Sequence, residues 1–210
     1  FSLVILPATS QSRLKLYQTE VSSIAKDNFQ FRAKHTLQII LIVYIGLTFL
    51  ETLLLSFSGM SLFDAINHSF ATIATGGFST KNQSIASFQN STIEGIIMFF
   101  MVLSGIHFGL IFATFQGKKQ NLFKSAVVRY YLGGILIGII LITLKIHFSS
   151  PSYTWTESLR YASFQVISLG TTTGFATVDT AAWPAFTKMI LIFFTLQCAC
   201  AGSTSGGIKS

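Results

Sequence analysis

The sequence predicts an all-α membrane protein made of two tandem repeats that run in the same direction. Half of its 210 residues are hydrophobic and only 10% are charged, whereas a soluble domain carries roughly 25% charged residues. Several apolar runs are long enough to cross a bilayer as helices. A shift of 97 residues (172 − 75) aligns one half of the chain with the other without a gap.

The apolar runs predict the membrane-crossing helices. A crossing takes about 20 helical residues, and three runs reach that length. They cover residues 37–57, 93–115 and 127–148, and a fourth, slightly shorter run covers 185–201. The first run contains one acid, Glu51. An acid at membrane depth is a functional candidate, but its place toward the outer end of the run favours pairing with a polar neighbour.

Two weaker segments, 61–75 and 156–171, follow the first and third runs and are expected to be short helices. Ser61 with Asp64, and Thr154 with Glu157, fit the Ser/Thr-x-x-acid signal of a helix start. At 1.5 Å per residue each helix reaches about 20 Å, too short to cross the bilayer. Each then meets a Gly/Thr cluster, which predicts a helix that enters the membrane and returns as extended chain.

The internal repeat organises the whole chain. Residues 75–80 fall on 172–177, Ser104-Gly105 falls on Ala201-Gly202, and Gly109 falls on Gly206. The predicted repeats are 37–115 and 134–210, joined by a basic linker at 116–133 and preceded by a segment at 1–36. Residues 1–7 have the pattern of the end of an earlier helix, so we expect an internal piece of a longer protein.

Basic residues predict the orientation of the spans. Nine of the 14 Lys and Arg residues lie before the first run, between the second and third runs or, for Arg129, at the start of the third. Both segments fall on one side of the predicted membrane, which the positive-inside rule makes cytoplasmic. The Gly/Thr loops then open from the outer face. Because the charges do not form a basic face on a soluble module, no nucleic-acid partner is expected.

The paired loops 75–78 and 172–175 indicate cation passage. A cation that crosses a membrane must exchange its water shell for other oxygens, and backbone carbonyls in an extended loop provide them. Glycine lets the backbone adopt the required dihedral angles. The C-terminus of each short helix also directs partial negative charge toward the loop. Two such loops at a matched offset outweigh the alternative of glycine-mediated helix packing.

A Gly-rich stretch near the C-terminus predicts a break in the fourth helix. Residues 202–207 contain three glycines and three hydroxyl residues, a composition that does not sustain a helix unaided. A phosphate-binding loop is the competing interpretation of residues 202–210. It fails because Ile208 separates Gly207 from Lys209 and because an apolar helix, not a strand, precedes the stretch.

These motifs resemble the Trk/Ktr/HKT superfamily of cation transporters, and most closely the membrane subunit of bacterial Trk-type potassium uptake. The resemblance rests on residues 73–80, on 171–177 with Asp179 and Trp183-Pro184, and on 200–209. It implies four units of transmembrane helix, pore helix, filter loop and transmembrane helix around one pore, of which this chain holds the second and third. One departure precedes the last motif, where Cys198-Ala199 replaces an expected pair of glycines.

The resemblance also implies residue roles. Gly77 and Gly174 are the expected filter glycines, and the carbonyls of Thr75, Gly76, Thr172 and Thr173 are expected to coordinate K⁺. Phe78, Phe175 and Asp179 are expected to support the filter. The mobile gate beneath it comprises Gly202, Ser203, Thr204, Ser205, Gly206 and Gly207.

Other polar residues have two open interpretations each. Asp179 either concentrates cations at the outer mouth or caps a local turn. His107, which aligns with Thr204, either bonds across the pore or is a packed neutral histidine, which we favour. Lys209 either acts at the inner pore or extends its amine to the interface, and Asp64 is most simply a helix N-terminal charge.

The predicted function is a multi-pass pore subunit of the inner membrane for monovalent cation uptake. No enzymatic activity is expected, since the sequence shows no catalytic set. K⁺ is the expected transported ion and no cofactor is expected. The resemblance implies a homodimer with a nucleotide-binding regulatory subunit on the cytoplasmic face. Two alternatives stay open: a secondary transporter with broken helices, and a non-conducting regulatory membrane subunit. K⁺ or Na⁺ preference, and symport or channel-like passage, are not decided by the sequence.

Overall fold

The structure, a computed structural model, describes residues 23–115, 125–149, 153–196, 199–200 and 203–206. Across these ranges the chain is helical with connecting turns, and no strand occurs in them. The chain divides into two compact units, Phe1–Ile42 and Val43–Ser210. Every contact discussed below lies within the unit Val43–Ser210.

The described residues contain seven α-helices and two short 3₁₀ helices. In chain order they are α1 (Ser23–Phe57), α2 (Leu62–Ile73), η1 (Ser84–Phe88), α3 (Ser91–Ser104), α4 (Phe108–Phe115), α5 (Ala126–Ser149), α6 (Trp155–Gly170), η2 (Thr180–Ala182) and α7 (Ala185–Leu196).

The first and third predicted spans are confirmed. Leu37–Phe57 of α1 and the whole of α5 are each long and apolar enough to cross a membrane. Helix α1 begins at Ser23, so residues 23–36 of the predicted linker are helical. Large apolar side chains on both helices remain exposed, for example Ile45, Phe49 and Ile137, each more than 60% exposed. Such faces suit contact with lipid rather than water.

Both short helices form where the sequence predicts them, and both begin with the predicted caps. At α2, the Asp64 backbone N–H donates to the Ser61 hydroxyl. At α6, Thr154 and Glu157 form a reciprocal capping box. These bonds satisfy N–H groups that have no partner inside the helix. With 12 and 16 residues, neither helix reaches the length of a crossing.

The second predicted span is not one continuous helix, which corrects the sequence interpretation. Helices α3 and α4 are separated by three residues, 105–107, and the chain bends by 101° between them. A Cβ on Gly105 would collide with the Tyr131 hydroxyl of α5 and lie 3.1 Å from Ala199 Cβ. Hydropathy is continuous through the bend and therefore does not reveal it; the glycine allows another chain segment to pack there.

The fourth predicted span is described only in part. Helix α7 covers 185–196, and residues 197–198 and 201–202 lie outside the described residues. Between the helices, a core of buried apolar residues joins α3, α5, α6 and α7, including Ile97, Ile142, Phe164 and Leu191. This core fixes α6 among the longer helices and so determines where the loop after α6 lies.

Gly138 of α5 provides a test of this packing. A Cβ at this position would collide with the Phe194 ring and lie 3.2 Å from Val166, whereas a Cβ on Gly134 meets nothing within 4 Å. We expect Gly138→Ala to lower the stability of the full-length protein in detergent by about 1–3 kcal/mol through overpacking. Gly134→Ala, the matched control, should leave the melting temperature unchanged or raise it, because alanine favours helix. Equal melting temperatures would contradict the described packing of α5 on α7.

Candidate functional site

Helices α2 and α6 end in hairpins with the same hydrogen bonds. The N–H groups of Gly76 and Gly77 both donate to the Ala71 carbonyl, and those of Thr173 and Gly174 both donate to the Ser168 carbonyl. Donors and acceptors are related by the offset of 97 residues. The two bonds before these repeat in the same way. In the first hairpin the N–H groups of Ala74 and Thr75 donate to the carbonyls of Phe70 and Thr72, and in the second those of Thr171 and Thr172 donate to Ile167 and Leu169.

The two loops also share their unusual backbone angles. Thr75 and Thr172 have φ of 51° and 57°, and Gly77 and Gly174 have φ of 66° and 88°. A non-glycine residue in this left-handed region is disfavoured by roughly 1–2 kcal/mol. The sequence keeps glycine at the second of these positions in both loops and threonine at the first, so each loop holds the same strained turn.

The loops come together at Gly77. The Thr173 carbonyl oxygen lies against Gly77, where a Cβ would collide with it. Gly77 thus has two reasons to be glycine: its positive φ and this close approach. A Cβ on Gly174 would meet nothing within 4 Å, so in this structure the equivalent face of the second loop is open.

Carbonyl oxygens in the loops divide into two groups. Within the described residues, no hydrogen bond ends on the carbonyls of Thr75, Gly76, Thr172 or Thr173. Three carbonyls further along the second repeat are occupied. Phe175 O accepts from the Ser168 hydroxyl at 2.7 Å, Ala176 O from the Ala86 N–H at 3.2 Å, and Val178 O from the Gln165 amide at 3.0 Å. The four oxygens that the resemblance assigns to ion coordination are thus unoccupied within the described part of the chain, as are those of Gly77 and Gly174.

His68, which the sequence analysis did not select, supports the first loop. Its Nδ1–H donates to the Asp64 carbonyl (2.7 Å), which leaves Nε2 to accept from the Ser79 hydroxyl (2.9 Å). The fully buried ring lies between Phe88, at 5.3 Å, and Phe175 of the second loop, at 5.8 Å. One side chain therefore contacts both loops.

Gln165 occupies the position in α6 that corresponds to His68 in α2. Its amide Nε2 donates to Val178 in the chain that leaves the second loop, just as His68 bonds Ser79 after the first. The signal for both residues was present in the sequence. The 97-residue offset pairs two buried polar side chains, each seven residues before the start of its loop, although their residue types differ.

Two further contacts hold the outer sides of the loops. In the first repeat, Asp64 accepts from Thr80 at 2.6 Å and from Ser61 at 2.8 Å, and lies 3.5 Å from Lys81 Nζ. These hydrogen bonds lower the pKa of Asp64 below its usual value and keep it ionised. In the second repeat, the Ala176 N–H donates to the Ser84 hydroxyl of η1. The connection between α2 and α3, which contains η1, therefore packs onto the second loop.

The predicted filter-supporting phenylalanines differ in environment. Phe175 is 1% exposed and packs beside His68 of the first repeat, whereas its counterpart Phe78 is 82% exposed. The side of α2 and its loop that faces away from the second repeat is thus open to contact.

The predicted gate stretch contacts both loops where the structure describes it, at residues 203–206. The Thr75 hydroxyl donates to the Thr204 carbonyl at 3.0 Å, and the Gly206 N–H donates to the Thr172 hydroxyl at 2.7 Å. Thr75 and Thr172 are repeat-related, so equivalent side chains hold the same short segment from two sides. Gly202 and Gly207 of the predicted gate lie outside the described residues.

The same segment contacts the break between α3 and α4. The Thr204 hydroxyl donates to the carbonyls of Ile73 (2.8 Å) and Ser104 (3.2 Å), and the Cys200 N–H donates to the Gly105 carbonyl (3.0 Å). The carbonyls exposed at the end of α3 are thereby satisfied. The broken helix and the segment that follows α7 form one connected structure below the loops.

The structure shows the surroundings of two polar residues, Asp179 and His107, that had two interpretations each. Asp179 is exposed and caps η2, since its carboxylate accepts from the Ala181 N–H at 2.8 Å. His107 is exposed rather than packed, which corrects the favoured interpretation; its Nδ1 accepts from the Gly109 N–H at the start of α4. Lys209 lies outside the described residues.

Glu51 differs from the expectation that it pairs with a polar neighbour. It is fully buried, and neither carboxylate oxygen has a hydrogen-bond partner among the described residues. The nearby hydroxyls are otherwise engaged, because Thr52 bonds Ser69 and Thr72 bonds the His68 carbonyl. No group of His, Cys, Asp and Glu suited to a metal ion occurs in the part of the chain that the structure describes.

Comparison with known proteins matches these features to one family. The family model described as cation transport protein, TrkH, matches residues 1–210. The chain is 37% identical over 210 residues to the Trk system potassium uptake protein TrkH of Escherichia coli K12, covering 99% of this chain and 44% of that protein. It is 33% identical to TrkH of Halomonas elongata, covering 99% of this chain and 43% of that protein.

A solved structure agrees. The crystal structure of the potassium transporter TrkH from Vibrio parahaemolyticus superimposes with a TM-score of 0.80 at 32% identity, over 85% of this chain and 39% of that one. The chain thus spans less than half the length of the relatives it matches. With its apolar crossing helices and a match along its whole length, the chain is part of a multi-pass membrane protein and belongs to the TrkH family of cation transport proteins.

Proposed function

We propose that this chain forms part of the pore of an inner-membrane protein that takes up monovalent cations, K⁺ in particular. Its loops supply backbone oxygens to the ion, and the segment 202–207 gates the path beneath them. The role is transport and not catalysis, in keeping with relatives that are named as potassium uptake proteins. K⁺ is the transported ion, held by the carbonyls of Thr75, Gly76, Thr172 and Thr173.

The observation that carries the proposal is the pair of identical hairpins with unoccupied carbonyls. Backbone oxygens at membrane depth are normally hydrogen-bonded, because an unsatisfied one costs several kcal/mol there. Four carbonyls without a described donor, repeated at equivalent places in two loops, suit replacement of an ion's water shell. The Thr173 carbonyl lies against Gly77 and has to turn toward the pathway to take part.

We further propose that neighbouring units complete the pore. Phe175 and Gly77 show how two adjacent units contact each other, through the His68 ring and the Thr173 carbonyl. Phe78 and Gly174 carry the same two surfaces without a partner. A preceding unit would cover Phe78, and a following unit would approach Gly174. A homodimer with a nucleotide-binding regulatory subunit on the cytoplasmic face completes the proposal, on the basis of the family resemblance.

The test is ion flux through the full-length protein in sealed vesicles. We expect ⁸⁶Rb⁺ uptake that K⁺ competes for more strongly than Na⁺. Electrical recording then separates the alternatives, since currents far above transporter turnover favour a pore and slower coupled flux favours a secondary transporter. Absence of flux in vesicles that contain folded protein would favour the non-conducting subunit and contradict the proposal.

Gly77→Ala tests the loop geometry. The added methyl group collides with the Thr173 carbonyl and also occupies a left-handed backbone position. A strain of about 1–2 kcal/mol corresponds to about a tenfold change in an equilibrium constant, so we expect K⁺ over Na⁺ discrimination to fall by about tenfold. Gly76→Ala is the matched control, because the equivalent position in the second loop already carries a side chain, Thr173. Equal effects of the two substitutions would argue against this filter geometry.

Thr75→Val combined with Thr172→Val tests the gate contact. Both variants keep the side-chain shape but remove hydroxyls that bond residues 204 and 206. At about 1 kcal/mol for each hydrogen bond, the gate equilibrium should shift toward the open form, and basal ⁸⁶Rb⁺ flux should rise several-fold. Thr187→Val is the control, since the Thr187 hydroxyl donates to the Pro184 carbonyl three residues earlier in the same turn. A basal flux no higher than that of the control would remove these hydroxyls from gating.

His68→Leu and His68→Gln test the support of the first loop. Leucine fills the buried site but loses the bond to Ser79, worth about 0.5–1.5 kcal/mol, whereas glutamine is the residue at the equivalent position in the second repeat. We expect selectivity to fall with leucine and to be largely retained with glutamine. Full selectivity in the leucine variant would show that the Ser79 bond does not position the loop.

A further inference from the structure

A buried ion pair joins the two repeats above the gate region. Arg160 of α6 donates to the Glu94 carboxylate of α3 through two nitrogens, Nε to Oε2 and Nη2 to Oε1, each at 2.6 Å. The side chain of Glu94 is 3% exposed and that of Arg160 is 32% exposed. A bidentate pair of this kind fixes orientation as well as distance.

Charged residues do not recur at the corresponding positions of the other repeat, where one residue is buried and the other, Phe63, is 70% exposed. The residue that corresponds to Glu94 in the second repeat is Leu191, and the one that corresponds to Arg160 in the first repeat is Phe63. Leu191 is buried in the apolar core. Because removing two charges from water is costly and an apolar pair of similar volume often packs as stably, general stability is a weak explanation for Glu94 and Arg160.

The elements that the pair connects suggest what it does instead. Helix α6 ends directly in the loop 172–175, so a rotation or shift of α6 moves the Gly174 loop. Helix α3, about 21 Å long from its 14 residues, ends at the Ser104 and Gly105 carbonyls that accept from Thr204 and Cys200. The pair therefore lies between the helix that carries a filter loop and the helix that holds the gate segment.

Neighbouring groups leave the pair intact. Glu157, three residues before Arg160, is engaged in the capping box with Thr154 and does not bond Arg160 in the structure. Glu94 lies in the first turn of α3, where the positive end of the helix dipole favours a carboxylate. The Arg160 guanidinium also lies 5.7 Å from the centre of the Tyr161 ring.

We propose that Glu94 and Arg160 are positioning residues that set the height and rotation of α6 relative to α3. The second filter loop moves with α6, and the end of α3 holds the predicted gate segment. This proposal rests on the proposed transport function. The pair touches no ion itself; its effect on ion discrimination passes through α6.

The experiment compares four variants of the full-length protein in vesicles, by ⁸⁶Rb⁺ uptake with K⁺ and Na⁺ competition and by melting temperature in detergent. Glu94→Gln and Arg160→Gln should each lower K⁺ over Na⁺ discrimination by about tenfold, since breaking one partner of a buried pair is costly even with partial exposure. The swap Glu94→Arg with Arg160→Glu restores the pair but places Arg at the positive end of the α3 dipole, so it should recover part of the discrimination. Glu94→Leu with Arg160→Phe, the residues of the other repeat, should recover the melting temperature but not the discrimination.

Full discrimination in the Leu/Phe variant, or in a folded single variant, would overturn the proposal, because packing alone would then suffice. If the single variants do not fold, the swap variant decides. A swap variant that does not recover both folding and part of the discrimination overturns the proposal. A wild-type protein that folds but takes up no ⁸⁶Rb⁺ would instead contradict the proposed function, which separates the two failures.

Discussion

A cation filter of the proposed kind must keep carbonyl oxygens free of hydrogen bonds at a depth where free carbonyls are costly. In the proposed pore, this constraint accounts for the way both loops are supported. Each loop is held by hydrogen bonds that do not involve the carbonyls assigned to the ion. Side chains from the short helices bond the chain where it leaves each loop, at Ser79, Phe175 and Val178. The carbonyls assigned to the ion are left without a described donor. Rigid support and unoccupied oxygens are thus two parts of one arrangement.

The predicted gate segment also obtains its hydrogen bonds from neighbouring elements. A Gly-rich stretch cannot satisfy its own backbone as a helix, so the described residues 203–206 take their partners from the loops and from the end of α3. One of those partners, the Ser104 carbonyl, is a group that the end of helix α3 leaves unsatisfied. In the proposed pore, a change at the filter and a change at the gate therefore act on shared hydrogen bonds.

Sequence reasoning recovers what is local or repeated. The spans 37–57 and 127–148, both short helices and their Ser61 and Thr154 caps follow from hydropathy, capping chemistry and length. It fails where the cause is tertiary. The bend at Gly105 depends on Tyr131 and on the chain at 199–200, and the exposed His107 and the unpartnered Glu51 depend on which neighbours are near. His68 and Gln165 were missed because they differ in type, although the 97-residue offset pairs their positions.

The central claim is that repeat-related loops offer main-chain oxygens to a dehydrated cation, and its most direct test is the location of the ion. Anomalous diffraction from crystals of the full-length protein grown with Rb⁺ should show a peak between the two loops, next to the carbonyls of Thr75, Gly76 and Thr172. A protein that takes up Rb⁺ but shows no peak there at saturating Rb⁺, or shows one only at side-chain carboxylates elsewhere, would contradict the account.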